Sequence, residues 1–564
     1  MSPEVGEAVR TDAETDAPVE AVRTPRSWWP VLLTLVPAVM IGVGGWVHRW
    51  TDEDAFINFR IVSQIVSGHG PVFNAGERVE AFTSPLWLAI LVVGRETLGL
   101  FMSLEWVSVL LGLAAAIAAF AIGGRAARFA HEQGAFVVPI GLVFAAAIPV
   151  MWDFASSGLE MGIVWLWLGS SWWILLRAAR TDDPSASPWW APVVIGLGPL
   201  VRPELGLMMV CLLVGWLVIA RPRRIARDLS LALALPVAYE IFRMGYYASI
   251  VPSTALAKDS GGTYLSQGWG YLNDLLSTYW LWIPIALVVV TVVIRLHELH
   301  DRRVAIATWS MLAASAVSVA YLVVSGGDYM HGRLLLPAVF ALALPASIAL
   351  RPTTLAKLGV LAVGVVWSLV VVAAVRYPPP RLAFGVTDIA DWRLVLGKKM
   401  FHPEHSGFLV TGDQVHTLYQ QGKRGYMRVT DKMPRPGKDP HALVITLGSI
   451  GVPAYDAGRQ VWVIDIGGLA EPLAARTSPI AGRPAGHRKQ VDEAWYDARF
   501  GAAKGNAKVQ AARRALACPK LATIISGIDE PLTPGRFLSN IWHAVPNTFV
   551  HVPRDPIKGE QELC

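Results

Sequence analysis

Long apolar segments recur along the first two-thirds of the chain, at about 28–48, 84–102, 105–124, 135–152, 160–177, 189–203, 205–220, 229–247, 278–295, 304–324, 334–350 and 356–376. Many approach the roughly 20 residues that a helix needs to cross a hydrocarbon core about 30 Å thick. In lipid a backbone must satisfy its own polar groups, so apolar runs of this length fold as helices. Only 16% of the 564 residues are charged and 53% are hydrophobic. A soluble chain carries about 25% charged residues. The chain is therefore an integral membrane protein by composition. The Trp pairs 28–29, 172–173 and 189–190 flank apolar runs, as an aromatic belt at headgroup level requires.

The net charge of +6 does not point to nucleic acid. Its Arg residues fall in short loops (Arg177 and Arg180, Arg221 to Arg224, Arg295 to Arg303), where the positive-inside rule puts them, not on one soluble face. These loops, with 351–357, orient the later segments. Arg202-Pro203-Glu204, the loop 248–277 and Ser325 to Arg333 then lie outside. Arg125 and Arg128 look cytoplasmic, which requires 84–102 to break or re-enter. The expected count is odd, about eleven spans, with the C-terminus outside. Residues 1–26 are acidic and aperiodic and read as a disordered cytoplasmic terminus. No cleavable signal peptide is evident, so the first span acts as an uncleaved anchor.

Beyond Tyr377 the composition changes. Pro378-Pro379-Pro380 forms a stiff boundary. Residues 442–447 and 460–465 read as strands, and 487–499 and 503–517 as helices. The fold expected is thus an all-α polytopic membrane domain over 27–376, followed by a soluble α+β extracytoplasmic domain over 377–564. Trp462, Trp495, Tyr496 and Trp542 are candidates for holding a glycan, against the plainer reading of core aromatics. Cys211 is a small hydrophobe. Cys518 and Cys564 share the tail, and an oxidising compartment would favour their pairing.

Asp52-Glu53-Asp54 directly follows the first span. Carboxylates beside a membrane helix are costly without partners or chemistry. The next stretch, 54–67, is amphipathic and reads as a helix lying in the interface, presenting Asp54, Asn58 and Arg60. Further polar motifs fall on the same side: Glu77-Arg78-Val79-Glu80, Gly158-Leu159-Glu160, Arg202-Pro203-Glu204, Tyr247 to Lys258, and Gly326 to Arg333 with Asp328 and His331. Such a mixture of acids, arginines, a lysine and a histidine points to one polar cavity at the membrane surface. Capping offers a plainer account of the triplet and of Glu160. An internal ion pair does so for Arg202 and Glu204, and snorkelling for Lys258.

The ordered set Asp52 to Arg60, Gly68 to Pro85, Gly158 to Glu160, Arg202 to Glu204 and Gly327 to Arg333 resembles the GT-C membrane glycosyltransferases that use polyprenyl-phosphate sugar donors. Over the whole length, including Val463 to Pro472, the chain is similar to the actinobacterial terminal arabinofuranosyltransferases. The resemblance implies a GT-C fold in the plasma membrane, with its active site and tail on the periplasmic side. The implied partners are decaprenyl-phosphoryl-arabinose as donor, the arabinan of arabinogalactan or lipoarabinomannan as acceptor, and membrane lipids. It also implies a β-(1→2) product from a β-linked donor, hence net retention.

The residues suit such a transfer. A phosphate leaving group needs cations or donors, for which Lys258, Arg333 and Arg202 are candidates, with His331 second. An acceptor hydroxyl needs a base, and retention a carboxylate nucleophile. Asp54 is the first choice and Asp52 the second, and the two could divide the roles. Glu53, Arg60, Glu80, Glu160, Glu204, Tyr247 and Asp328 are assigned to substrate binding. No Cys/His pattern marks a metal site. No cofactor is assigned, and a divalent cation bridging carboxylates and phosphate is left open. A secondary transporter and an envelope scaffold are the competing functions. The first lacks internal two-fold symmetry and a midplane site. The second leaves the triplet unexplained.

Overall fold

The computed structural model describes residues 29–131, 136–181, 188–221, 225–298, 301–375, 428–430, 444–483, 487–500 and 505–564. The disordered terminus expected over 1–26 and the Pro378-Pro379-Pro380 boundary lie outside them. The described chain is mostly helical. Four helices are long and apolar enough to cross a membrane: Leu104–Ala130, Met161–Ala179, Arg302–Ser325 and Leu355–Ala374. A fifth crossing is available from Leu265–Thr278 and Trp282–Glu298, which meet at 85°.

Other apolar segments are shorter or broken. The stretch 84–102 forms the helix Pro85–Glu96 and a 3-10 turn, a break of the kind the arginine pattern requires. Residues 135–152 are interrupted at Ile148-Pro149, where Pro149 opens a second short helix, Pro149–Ala155. Val137–Val138 pairs antiparallel with Ile348–Ala349. Local chemistry sets several ends. Ser84, Asp301 and Thr354 each accept a backbone N–H in the first turn of the helix that follows, satisfying donors that the helix itself cannot. Gly326 ends Arg302–Ser325 at φ +90°, a left-handed conformation open to glycine, and so begins the loop that carries Asp328 and Arg333.

The membrane domain has two polar ends. At one, Arg180 pairs with Asp301 at 3.2 Å, Arg303 donates to the Thr181 carbonyl, and Lys357 pairs with Glu298 at 2.7 Å. The basic loops at 177–180, 295–303 and 351–357 thus meet one another. The acidic triplet and its neighbours gather elsewhere, against the tail.

The tail contains a three-stranded sheet. Arg428–Thr430 runs antiparallel to Val444–Leu447, which runs parallel to Trp462–Asp465. The helices Glu493–Phe500, Ala507–Ala517, Pro519–Asp529, Pro534–Thr548 and Pro556–Leu563 surround it. Strand side chains alternate between two cores. Val444, Trp462 and Ile464 join Leu473, Trp495, Phe500 and Leu521 in the tail's own core. Ile445, Leu447 and Val463 join the core of the membrane domain. Trp462, Trp495 and Tyr496 are thereby core aromatics, unavailable to a glycan, whereas Trp542 is exposed. Cys518 and Cys564 form a disulfide with a Cα–Cα distance of 5.2 Å.

The amphipathic stretch forms the helix Ala55–Val66, but it does not lie open in an interface. It is buried from Ala55 to Val62, with Arg60 and Gln64 also covered. The tail covers it: Tyr455 packs edge-on against Phe56 and Phe59, at 5.5 and 6.1 Å between ring centroids, and Arg60 and Gln64 donate to tail carbonyls.

Candidate active site

The triplet sits in the turn between the helices Trp29–Val47 and Ala55–Val66. The Asp52 N–H donates to the Ser157 carbonyl at 2.8 Å, which ties this turn to the one preceding Met161. Asp52 is buried, and its Oδ1 accepts the backbone N–H of Asp54 at 2.8 Å. Burial, and then the neighbouring Asp54 charge, push the Asp52 carboxyl well above the usual range. Asp54 itself remains partly open, with its side chain 21% exposed.

Arg333 organises the rest. Its buried guanidinium places Nη1 3.3 Å from Asp54 Oδ2 and 3.9 Å from Asp328 Oδ2, while Nη2 lies 3.5 Å from Glu160 Oε1. Glu160 also pairs with Arg202, and Arg202 with Glu204. The Tyr329 hydroxyl donates to Asp54 Oδ2 at 3.3 Å. Burial opposes the Arg333 charge, but Glu160, Asp328 and Asp54 outweigh it and hold its pKa above the ordinary value. Burial likewise raises Glu160, yet Arg202 and then Arg333 bring it down to about 2. Glu160 is therefore an anion that keeps two guanidiniums in place, and Asp54 is the open carboxylate at the edge of the group.

The structure thus joins Asp52, Asp54, Glu160, Arg202, Glu204, Asp328 and Arg333. Among the described residues no three His, Cys, Asp or Glu side chains form a metal-binding group.

Other candidates have different partners. Glu53 Oε1 accepts from the Ser449 hydroxyl at 2.5 Å and the Gly451 N–H at 2.7 Å, so it fastens the tail. Burial, then Asp54, raise its pKa to about 7. Arg60 donates to the carbonyls of Phe73, Ala454, Gly458 and Val461 and is a buried clamp, not a surface ligand. Its polarity misled because backbone carbonyls take the place of water. Glu80 accepts from Arg243 Nε at 2.7 Å and the Tyr239 hydroxyl at 2.6 Å. The Tyr247 hydroxyl donates to the Pro71 carbonyl at 2.8 Å. Both brace the loop that follows Val66. His331 lies 2.5 Å from Asp274 through Nδ1 and 3.3 Å from the Tyr279 hydroxyl through Nε2, which ties its loop to the bent helix pair.

Lys258 caps the short helix Ser253–Ala257 and is half-buried. Its charge reaches His487, a residue of the tail that sequence reasoning did not mark. The His487 ring lies 5.2 Å from the Tyr329 ring, edge-on. Surrounding protein lowers its pKa, as does Lys258, while Asp54 and Asp328 act in the other direction. The tail thus brings an imidazole to the acid cluster. Tyr329 stood in the quoted loop but was not singled out. Nothing local in the sequence distinguishes His487.

A terminal β-(1→2)-arabinofuranosyltransferase of Mycobacterium tuberculosis is 32% identical over 604 residues, covering 92% of this chain and 95% of that protein. The chain belongs to the AftB family. The terminal β-(1→2)-arabinofuranosyltransferase of Corynebacterium glutamicum is 30% identical, over 92% of this chain and 86% of its own length. Residues 413–558 match the AftB family C-terminal domain. No solved structure matches the chain.

Proposed function

We propose that this protein transfers arabinofuranose from decaprenyl-phosphoryl-arabinose to the non-reducing ends of cell-wall arabinan, forming a β-(1→2) linkage. Membership of a family whose relatives carry that activity supports the sugar and the linkage. One geometric observation supports the chemistry: Asp54 is a partly open carboxylate held by the Arg333 guanidinium and the Tyr329 hydroxyl. The second polar end, with its basic loops, supports a cytoplasmic assignment for that end. It follows that the site and the tail are periplasmic. The shorter and broken apolar helices supply the remaining crossings toward a total of about eleven.

In this reading the sugar's anomeric carbon lies beside Asp54, and the donor phosphate lies towards the Arg333 and Arg202 charges and Lys258. Retention from a β-linked donor requires two inversions. The Asp54 carboxylate forms a bond to the anomeric carbon as the carbon–oxygen bond to phosphate breaks, and the electron pair leaves with the polyprenyl phosphate. The acceptor hydroxyl then displaces Asp54 from that carbon. Its proton passes to the departed phosphate monoester, whose second ionisation lies near neutrality. Asp52 holds the Asp54 backbone and does not share the nucleophile's role, because its carboxylate is buried and already engaged.

The decisive experiment follows radiolabelled arabinose from its lipid phosphate into an arabinan acceptor, with wild type and Asp54→Asn. The proposal expects transfer by the first and almost none by the second. Sugar uptake into vesicles without acceptor glycan would indicate a transporter instead.

A further inference from the structure

The helix Pro534–Thr548 in the tail is amphipathic in the inverted sense. Its buried side is polar. Asn540 Nδ2 donates to the carbonyls of Gly245 and Gly527 at 2.9 and 3.0 Å, and Asn547 Nδ2 to that of Ala248 at 3.4 Å. Thr548 accepts the Ile250 N–H at 3.0 Å. Its outer side is apolar: Leu538 is 66% exposed, Trp542 83%, Val545 49%, and Phe549, just past the helix, 73%. These four positions recur at helical spacing and form one stripe. A helix on a water-facing domain shows the reverse pattern. A contiguous apolar stripe with a Trp and a Phe is the form of a helix lying at a headgroup boundary.

The placement of this helix agrees. It packs on the last turns of the helix Ile225–Tyr247, where Phe537 fills the space that a Cβ on Gly245 would occupy. That helix carries its own outward apolar row, Leu233, Val237 and Ile241, spaced four residues apart, and its exposed row ends at Ile241. Pro534–Thr548, with its stripe, packs on the turns of that helix that follow Ile241.

We infer that Leu538, Trp542, Val545 and Phe549 insert into the interfacial region of the bilayer leaflet beside the end of Ile225–Tyr247, anchoring the tail to the lipid surface. The tail is already fastened to the helices through protein contacts, among them the buried clasp of Arg60, Glu53 and Asn74 next to the acid cluster. The lipid contact made through Trp542 is added to these. The proposal rests on the chain being a membrane protein and not on which sugar it transfers.

The test uses the full chain in phospholipid vesicles. Cys518 and Cys564 are bonded to each other and Cys211 is free, so a Cys211→Ser background accepts a single fluorophore at Trp542→Cys. A control variant, Lys520→Cys, places the same fluorophore on an exposed site of the neighbouring helix. Thermal melting of both variants confirms the fold. At 542, nitroxide on shallow lipid acyl positions is expected to reduce emission by at least about two-fold, with weak quenching by aqueous iodide. The control shows the opposite order. Equal iodide quenching at both sites overturns the proposal. So does a 542 site shielded from both quenchers with a dependence on protein density, because a second protein then covers the stripe.

Discussion

Asp52 fixes Asp54: its Oδ1 accepts the Asp54 backbone N–H at 2.8 Å, so one carboxylate sets the direction of the other. Replacing either acid therefore has a different consequence. Asp54→Asn keeps the shape and loses the anion beside Arg333. Transfer activity is expected to fall by about 100- to 10,000-fold with little change in melting temperature. Asp52→Asn retains an acceptor for the same N–H, so it is expected to be the milder of the two. Parallel radiolabel transfer assays and thermal melts on both variants check this ranking.

Arg333 neutralises three acids from one buried position, and its loss leaves them facing one another. Arg333→Ala is expected to destabilise the protein by about 3–5 kcal/mol, the range for breaking a buried pair. Arg333→Lys preserves the charge but cannot span Asp54 and Glu160 together, because an ammonium lacks the planar fork. It is expected to remain folded and to transfer sugar slowly. Melting curves and transfer rates distinguish the two variants, and equal activity of Arg333→Lys and wild type would count against the proposed role.

Glu53 carries a pH dependence of known sign. Its folded pKa is about 7, raised first by burial and then by Asp54. An acid with a raised folded pKa binds more protons folded than unfolded, so it lowers stability as pH rises from its unfolded value to its folded one. Between about pH 4.5 and 7 the attachment of the tail through Ser449 and Gly451 is expected to weaken. Glu53→Gln removes that slope. The measurement is the difference in melting temperature between wild type and Glu53→Gln at pH 5.5 and pH 8, roughly a unit and a half below and a unit above the folded value. A difference that does not change with pH contradicts the assignment.

Arg60 gives a stability prediction free of the chemistry. Its guanidinium donates to carbonyls on both sides of the clasp, Phe73 on one and Ala454, Gly458 and Val461 on the other. Arg60→Met keeps the bulk and orphans those acceptors. A loss of roughly 3 kcal/mol is expected, the size of a hydrogen bond from a charged group. Limited proteolysis should then cut between the tail and the helices well before wild type is touched.

The legibility of this molecule in its sequence followed the range of the interaction. Apolar runs and the acid triplet are local, and both were visible. So were the strands ending at Leu447 and Asp465, short runs rich in β-branched and aromatic residues. The helix over 55–66 was also visible, but not its setting. Arg60 and Gln64, four residues apart, form a polar face, and a polar face looks the same whether its partners are waters or distant carbonyls. Here the carbonyls come from a segment nearly four hundred residues further along. For the same reason Glu80, Tyr247 and His331 were grouped with the acid cluster. Their side chains suit a wet cavity, and only their distant partners Arg243, Pro71 and Asp274 show that each is committed elsewhere. His487 was missed for the converse reason, since an isolated histidine in a polar tail carries no local sign of its neighbours.

The small sheet of the tail has a consequence for how polysaccharide is met. Its strands Val444–Leu447 and Trp462–Asp465 are covered on both faces, by the tail's aromatic core on one and by the membrane domain on the other. Among the described residues, these strands offer a glycan no broad platform on which to lie. An oligosaccharide meeting this region would be gripped at the margin, by connecting loops such as the one bearing His487. Recognition there would be of a chain terminus entering edgewise, not of a polymer spread across a flat surface.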